Sequence, residues 1–98
     1  MFKEQLKEAL GVIWAKVYRA TQIPYLSQDE TAKLQEALTF IREGSEGDYH
    51  FKSRASYIDD CVRTSGILSI LSRKPRSTEG IMAECERLQR YLDADNSK

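Results

Sequence analysis

Apolar residues recur at helical spacing in four separate segments, and this periodicity constrains the fold more than any other feature of the chain. The first segment carries five of them at intervals of three or four residues: Phe2, Leu6, Leu10, Ile13 and Val17. Such intervals place all five on one face of a helix. We therefore predict an amphipathic helix over residues 2–20, which ends before Pro24 because the residue preceding a proline is disfavoured in the α region.

A capping box marks the start of the second helix. Ser27 and Glu30 have the spacing at which each side chain accepts a hydrogen bond from the other residue's backbone N–H. Gly44 stands where a left-handed C-terminal cap is expected. We predict a helix over residues 28–43, with its apolar stripe formed by Leu34, Ala37, Leu38 and Ile41.

The third segment is preceded by residues 44–52, which we interpret as a loop from their Gly, Ser and Asp content. We predict a third helix over residues 54–72. Its second half is apolar nearly all round, which is typical of a helix surrounded by protein. Ser65 and Gly66 form a pair at which helices commonly bend. The stripe of the first half consists of Ile58, Cys61, Val62 and Ser65.

The fourth helix is predicted over residues 78–93, with the hydroxyl of Ser77 or Thr78 as its cap. We expect residues 94–98 to fray, because they are polar and terminal. The narrow apolar seam of this helix consists of Ile81, Cys85, Leu88 and Leu92. Four helices with short connections predict an all-α fold, in which residues 1–98 form a single-domain bundle of antiparallel helices.

Composition excludes several classes of protein. The 98 residues carry 15 basic and 15 acidic side chains, and a net charge of zero does not fit a basic nucleic-acid wrapper or an acidic DNA mimic. No segment approaches the roughly 18 apolar residues of a membrane span. Cys61 and Cys85 form no pattern typical of a disulfide framework or a zinc site. We expect a cytoplasmic protein without metal or cofactor.

The sequence offers little for catalysis. His50 is the only histidine, so a single chain cannot supply a two-histidine metal site. Asp59 and Asp60 are adjacent, and on a helix their side chains point about 100° apart; we interpret them as surface charge. No phosphate-binding glycine loop or nucleophile elbow is present. We therefore expect a protein that is not an enzyme.

A second face of the first helix is unusual because it carries aromatic residues. Trp14 and Tyr18 lie off the core stripe and share this face with Lys7 and Gly11, while Phe40 lies off the stripe of the second helix. Exposed aromatic residues beside a glycine are typical of binding hot spots. The alternative is that Trp14 fills the edge of a four-helix core. The leading hypothesis is a protein-interaction module, a regulator, inhibitor or adaptor, which uses Lys7, Gly11, Trp14, Tyr18 and Phe40.

Residues 50–76 carry a local net charge of +4, and the turn at 72–77 is their densest basic part. A second hypothesis is a phosphate-directed binder of nucleic acid or of a small or cyclic nucleotide. Helix capping and solubility explain the same charges without a ligand. The candidate phosphate contacts are Arg54, Arg63, Arg73, Lys74 and Arg76.

Small residues line one edge of the predicted third helix at Ser65, Gly66, Ser69 and Ser72. Such an edge permits close approach of another helix, either within the bundle or across a two-fold axis. A homodimer is therefore a further expectation. The partner that we favour is another protein, and nucleic acid or a nucleotide is the second choice.

Overall fold

Four α-helices make up the bundle in the computed structural model, which describes residues 3–68 and 75–96. They are α1 (Lys3–Ala20), α2 (Gln28–Glu43), α3 (Tyr49–Ser65) and α4 (Thr78–Asn96). α1 packs against α2 and α4, and α3 packs against the same two helices. Neighbouring helices are thus consecutive in the chain or are the first and the last. The predicted all-α four-helix fold is confirmed, and no strand occurs in the described residues.

The core is formed mainly by the apolar stripes that the periodicity predicts, although Cys61 of the third stripe is only partly buried and Phe2 of the first lies outside the described residues. α1 contributes Leu6, Leu10, Ile13 and Val17, each fully buried. Leu34, Leu38 and Ile41 of α2 and Ile81, Cys85, Leu88 and Leu92 of α4 join them. Burial of these side chains is the main stabilising contribution, at roughly 1.5–3 kcal/mol for a fully buried leucine or isoleucine.

α2 has the predicted bounds and the predicted start. The Ser27 hydroxyl accepts from the Glu30 N–H at 3.1 Å, and the Glu30 carboxylate accepts from the Ser27 N–H at 3.3 Å. The expected left-handed cap at Gly44 is wrong, because this residue has φ −75°. Glycine is needed there for space: a Cβ would lie 2.9 Å from Leu6 Cδ2 and 2.9 Å from the Phe40 carbonyl oxygen.

α3 begins earlier than predicted, at Tyr49. The prediction of a loop over residues 44–52 is therefore wrong for the residues after Asp48. Asp48 is the N-cap, and its carboxylate accepts from the Phe51 N–H at 3.0 Å. Phe51 is fully buried in the core, so the first turn of α3 gains apolar contacts as well as a cap. The Gly and Ser content before Asp48 concealed this start.

α3 also ends earlier than predicted. Ser65 is its last residue, and Gly66 adopts the left-handed conformation with φ 95°. The expected continuous helix to residue 72 is wrong, and the Ser65–Gly66 pair ends the helix instead of bending it. The left-handed cap stands at Gly66, a position where a side chain would strain the backbone. Of the predicted second half, residues 69–72 lie outside the described part of the chain.

A backbone hydrogen bond closes the connection between α3 and α4. The Arg76 N–H donates to the Ser65 carbonyl at 2.9 Å, which brings the end of α3 next to the start of α4. Ser77 has φ 62°, and its carbonyl accepts from the Ile81 N–H at 3.1 Å. α4 begins at Thr78 as predicted and continues to Asn96, beyond the expected end at 93; residues 97–98 lie outside the described residues.

Candidate functional site

The aromatic face of α1 lies against α4. Lys7 forms an ion pair with Asp93, and the Lys7 backbone carbonyl accepts from the Gln89 side chain at 3.1 Å. The hydrogen bond to Asp93 raises the pKa of the Lys7 ammonium. A Cβ on Gly11 would lie 3.6 Å from Gln89 Nε2, which is ordinary van der Waals contact. We call this surface, formed by Lys7, Gly11, Trp14 and Tyr18 with Glu86, Gln89 and Asp93, the α1/α4 flank.

Trp14 joins this flank to the bundle. Its indole N–H donates to the Glu86 carboxylate at 2.9 Å, and its ring is partly buried against the core. Tyr18 stacks on it with ring centroids 5.5 Å apart and planes 15° apart. Tyr18 itself is 49% exposed. The sequence thus correctly placed these two residues together, and Trp14 fills the edge of the core while the Tyr18 ring faces outward.

Phe40 does not lie with them. It lines a groove on the other side of α1, between α1 and α2. The five residues of the predicted protein-binding set are therefore divided between two surfaces, with four on the α1/α4 flank and Phe40 alone on the other.

We call this second surface the α1/α2 groove. It has a volume of about 390 Å³, and its lining consists of Gln5, Glu8, Ala9, Val12, Lys33, Glu36, Ala37 and Phe40. Ala9 and Ala37, one from each helix, leave a depression because their side chains are short. Val12 and Phe40 complete an apolar floor, and Phe40 is 37% exposed. Among the described residues, the exposed large hydrophobic side chains are four tyrosines and Phe40, so Phe40 alone of them has no hydroxyl group to hydrate.

One end of the α1/α2 groove is closed by charge pairing. Glu30 at the start of α2 forms ion pairs with Arg19 and, at 3.7 Å, with Lys16, both at the end of α1. The other end has no such pair between the two helices in the part of the chain that is described. A smaller depression lined by Gln35, Glu36, Thr39, Phe40 and Glu43 continues the surface past Phe40. The apolar floor is thus open toward the end of α2.

Two of the candidate phosphate contacts, Arg54 and Arg63, are paired with carboxylates of the bundle. Arg54 forms an ion pair with Glu84 of α4, whereas Arg63 donates to Asp59 at 3.0 Å on the side of α3 that meets Arg42 of α2. Arg76 is exposed. Arg73 and Lys74 lie outside the described residues.

Glu84 is a buried carboxylate held by two cations. It is 2% exposed and accepts from Arg54 and, at 3.0 Å, from Arg87. The hydrogen bond from Arg54 holds the pKa of Glu84 below its ordinary value, even though burial acts in the opposite direction. Arg54 also lies over the Tyr57 ring, 4.7 Å from its centroid. A groove of about 300 Å³ borders this cluster, and His50 and Tyr91 line it with Arg54, Glu84, Arg87 and Leu88.

Asp59 corrects the interpretation of the adjacent carboxylates as surface charge. Asp59 is buried and pairs with Arg63 and Arg42, whereas Asp60 is exposed. The Oδ1 atom of Asp59 is buried without a hydrogen-bond partner among the described residues. Sequence position could have revealed both buried acids: Asp59 lies three residues before Val62, and Glu84 lies four residues before Leu88, each on a core stripe.

The remaining chemically reactive side chains are held in structural contacts. His50 lies in the first turn of α3, where the sequence predicts a loop. Its ring packs against the ring of Tyr91, with the two centroids 4.8 Å apart. Cys85 is buried, and burial raises the pKa of its thiol to about 12, so the reactive thiolate is scarce at neutral pH. Cys61 is only partly buried. Within residues 3–68 and 75–96, no group of three His, Cys, Asp or Glu side chains could hold a metal ion.

Comparisons with known proteins identify no relative. No family model, no curated protein and no solved structure matches the chain. Among the described residues, no helix is long and apolar enough to cross a membrane.

Proposed function

We propose that this chain is a non-enzymatic protein-interaction module, acting as a regulator, inhibitor or adaptor, and that it binds a helical segment of a partner protein in the α1/α2 groove. The observation that carries the proposal is the apolar floor around Phe40, which no other part of the described chain covers. Grooves of this kind between two helices accept the apolar face of a third helix.

The α1/α4 flank is a weaker candidate for the same role. Lys7 and Trp14 already have partners within the chain, and a competing protein would have to replace those contacts. Phe40 has no polar group that must be satisfied, so covering it removes apolar surface from water without a desolvation cost of this kind.

A comparison of two variants tests this assignment. Phe40→Glu places a charge on the groove floor, and Tyr25→Glu places one on another exposed aromatic residue as the matched control. We expect affinity capture from a native lysate, quantified by mass spectrometry, to lose its specific proteins with Phe40→Glu and to retain them with Tyr25→Glu. Thermal unfolding of both variants establishes that each is folded.

Two results would contradict the proposal. One is recovery of the same proteins, at the same strength, with wild type and Phe40→Glu. The other is loss of those proteins with Tyr18→Glu, which changes the outward-facing ring of the α1/α4 flank and leaves Trp14 in place, while Phe40→Glu retains them. That result would assign the site to the α1/α4 flank. Capture of nucleic acid that weakens with rising salt would favour the phosphate-directed alternative.

A further inference from the structure

The rim of the α1/α2 groove is acidic. Glu8 of α1 and Glu36 and Glu43 of α2 are exposed around its apolar floor and around the depression that continues it. No ion pair joins any of these three carboxylates to another residue of the described chain. The one basic residue of the lining is Lys33. Its Nζ atom lies 3.4 Å from Asp29 Oδ2, so the charge of the ammonium group is partly neutralised by that carboxylate. An acidic rim therefore surrounds an apolar floor.

From this arrangement we propose that the partner segment is a basic amphipathic helix, with an apolar stripe that covers Phe40 and with Lys or Arg on both sides of the stripe. The inference rests on the proposed function, because it specifies the chemistry of the partner in the same groove. Opposite charges across an interface accelerate association and select among partners. Apolar contact then supplies the attraction at the centre of the groove.

The length of the groove fits a short helix. Its α2 side runs from Lys33 to Glu43, which at 1.5 Å per residue is about 15 Å. A partner helix of about ten residues covers that distance and presents two or three apolar positions at spacings of three and four to the floor.

A second copy of this chain is a poor occupant of the groove. In a two-fold contact each surface meets itself, so the carboxylates of Glu8, Glu36 and Glu43 would face those of the other copy. Like charges placed opposite one another oppose association. The acidic rim thus selects a basic partner and disfavours dimerisation on this face.

The experiment uses designed peptides of about 18 residues, long enough to form a helix. Each carries the same stripe of leucines at i, i+3, i+4 and i+7; one has Lys beside the stripe and the other has Gln. Binding to the full chain is measured by fluorescence anisotropy at several salt concentrations. We expect the Lys peptide to bind about tenfold more tightly than the Gln peptide at low salt, with the difference decreasing as salt rises.

Two triple variants separate the rim from general charge. Glu8→Gln, Glu36→Gln and Glu43→Gln together should abolish the preference for the Lys peptide. The matched control changes three exposed acids elsewhere, Glu46→Gln, Asp60→Asn and Glu79→Gln, and should retain the preference at the same net charge.

Each alternative outcome has a distinct meaning. Equal binding of both peptides that is lost in Phe40→Ala overturns the basic-partner inference and leaves the groove as the docking site. Lys-peptide binding that survives Phe40→Ala, or no binding of either peptide, overturns the inference and the groove assignment together. A dimer that requires Phe40, detected by light scattering, also overturns the inference.

Discussion

The two sides of α1 show how one helix can be closed on one side and open on the other. On the α1/α4 flank, polar contacts connect the two helices: Lys7 of α1 pairs with Asp93 of α4, and the Trp14 N–H of α1 donates to Glu86 of α4. In the α1/α2 groove, Ala9 and Ala37 both border the depression, and among the described residues no ion pair or side-chain hydrogen bond connects the α1 side of the lining to the α2 side. The same helix therefore presents an occupied surface to α4 and an unfilled one beside α2.

The comparison shows that aromatic content alone does not identify a binding surface. Trp14 is the larger and more conspicuous residue, yet its N–H and much of its ring are engaged within the chain. Phe40 is less conspicuous, and it remains exposed because it lies off the buried stripe of α2. What distinguishes the two surfaces is whether polar contacts connect their α1 residues to those of the neighbouring helix, which depends on the pairing of helices.

The largest effect on stability is expected from Trp14→Ala. This change removes ring packing against the core, the stack with Tyr18 and the hydrogen bond to Glu86. We expect the free energy of unfolding to fall by about 3 kcal/mol, the low end for tryptophan because the ring is partly exposed. Phe40→Ala on the other side of α1 should lower it by less, about 1 kcal/mol, because 37% of Phe40 is exposed and the higher helix propensity of alanine offsets part of the lost contact. Urea unfolding followed by circular dichroism measures both.

A conservative variant separates packing from hydrogen bonding at Trp14. Trp14→Phe keeps a ring and loses the N–H, so it should cost about 1 kcal/mol. If Trp14→Ala and Phe40→Ala lowered the free energy of unfolding equally, the distinction between an occupied α1/α4 flank and an open α1/α2 groove would be wrong.

Gly44→Ala should have the next largest effect. The added methyl would lie 2.9 Å from Leu6 Cδ2 and from the Phe40 carbonyl, so the Leu6 side chain and the backbone at the end of α2 must shift. We expect a loss of about 2 kcal/mol. Gly80→Ala in α4 is the control, because nothing lies within 4 Å of its added Cβ, and it should stabilise the helix by about 0.5 kcal/mol. A Gly44→Ala variant as stable as wild type would show that the Leu6 side chain and the end of α2 can shift without loss of stability.

The smallest effect is expected from Glu84→Gln, and it depends on pH. At pH 7 the loss should be about 1 kcal/mol, because Arg54 and Arg87 are partly exposed and can be hydrated. The folded pKa of Glu84 lies below its ordinary 4.5, so its stabilisation is complete above that pH and is lost as pH falls through the lower folded pKa.

The difference between wild type and Glu84→Gln should therefore shrink in urea unfolding below pH 4.5. Glu36→Gln is the matched change on the groove rim, and we expect no measurable loss of stability from it because Glu36 is exposed and no ion pair holds it among the described residues. A difference that stays constant or grows on acidification would contradict the assigned ion pair.

Much of the fold could be predicted from the sequence, because three helices carry strong local signals. The stripes of α1 and α4 have regular spacing, and Ser27 and Glu30 define the start of α2 through contacts only three residues apart. Such signals act within one helical turn and do not require knowledge of the neighbouring helices.

α3 was harder to predict because its boundaries depend on contacts beyond the local sequence. Asp48 begins the helix in a stretch whose Gly and Ser content indicated a loop, and burial of Phe51 stabilises that start. At the other end Gly66 interrupts an apolar run that otherwise favours helix. A backbone hydrogen bond from Arg76 to Ser65 then stabilises the early end.

The candidate site could be predicted only in part. Phe40 was identified because it lies off the apolar stripe of α2. The remaining groove residues, Ala9, Val12 and Ala37, are ordinary members of apolar stripes, and only the pairing of α1 with α2 shows that they border a depression. The ion pairs of Glu84 with Arg54 and of Asp59 with Arg42 were missed because each joins two helices, although both acids lie on core stripes.

The Asp48 carboxylate couples the folding of α3 to that of α4. One of its oxygens caps α3 through the Phe51 N–H, and the other accepts from the Tyr91 hydroxyl of α4 at 2.8 Å. The first turn of α3 is consequently held in place by a residue 43 positions further along the chain. With this contact in place, the two helices should melt in one cooperative transition instead of separately. A protein truncated before Tyr91 loses this support.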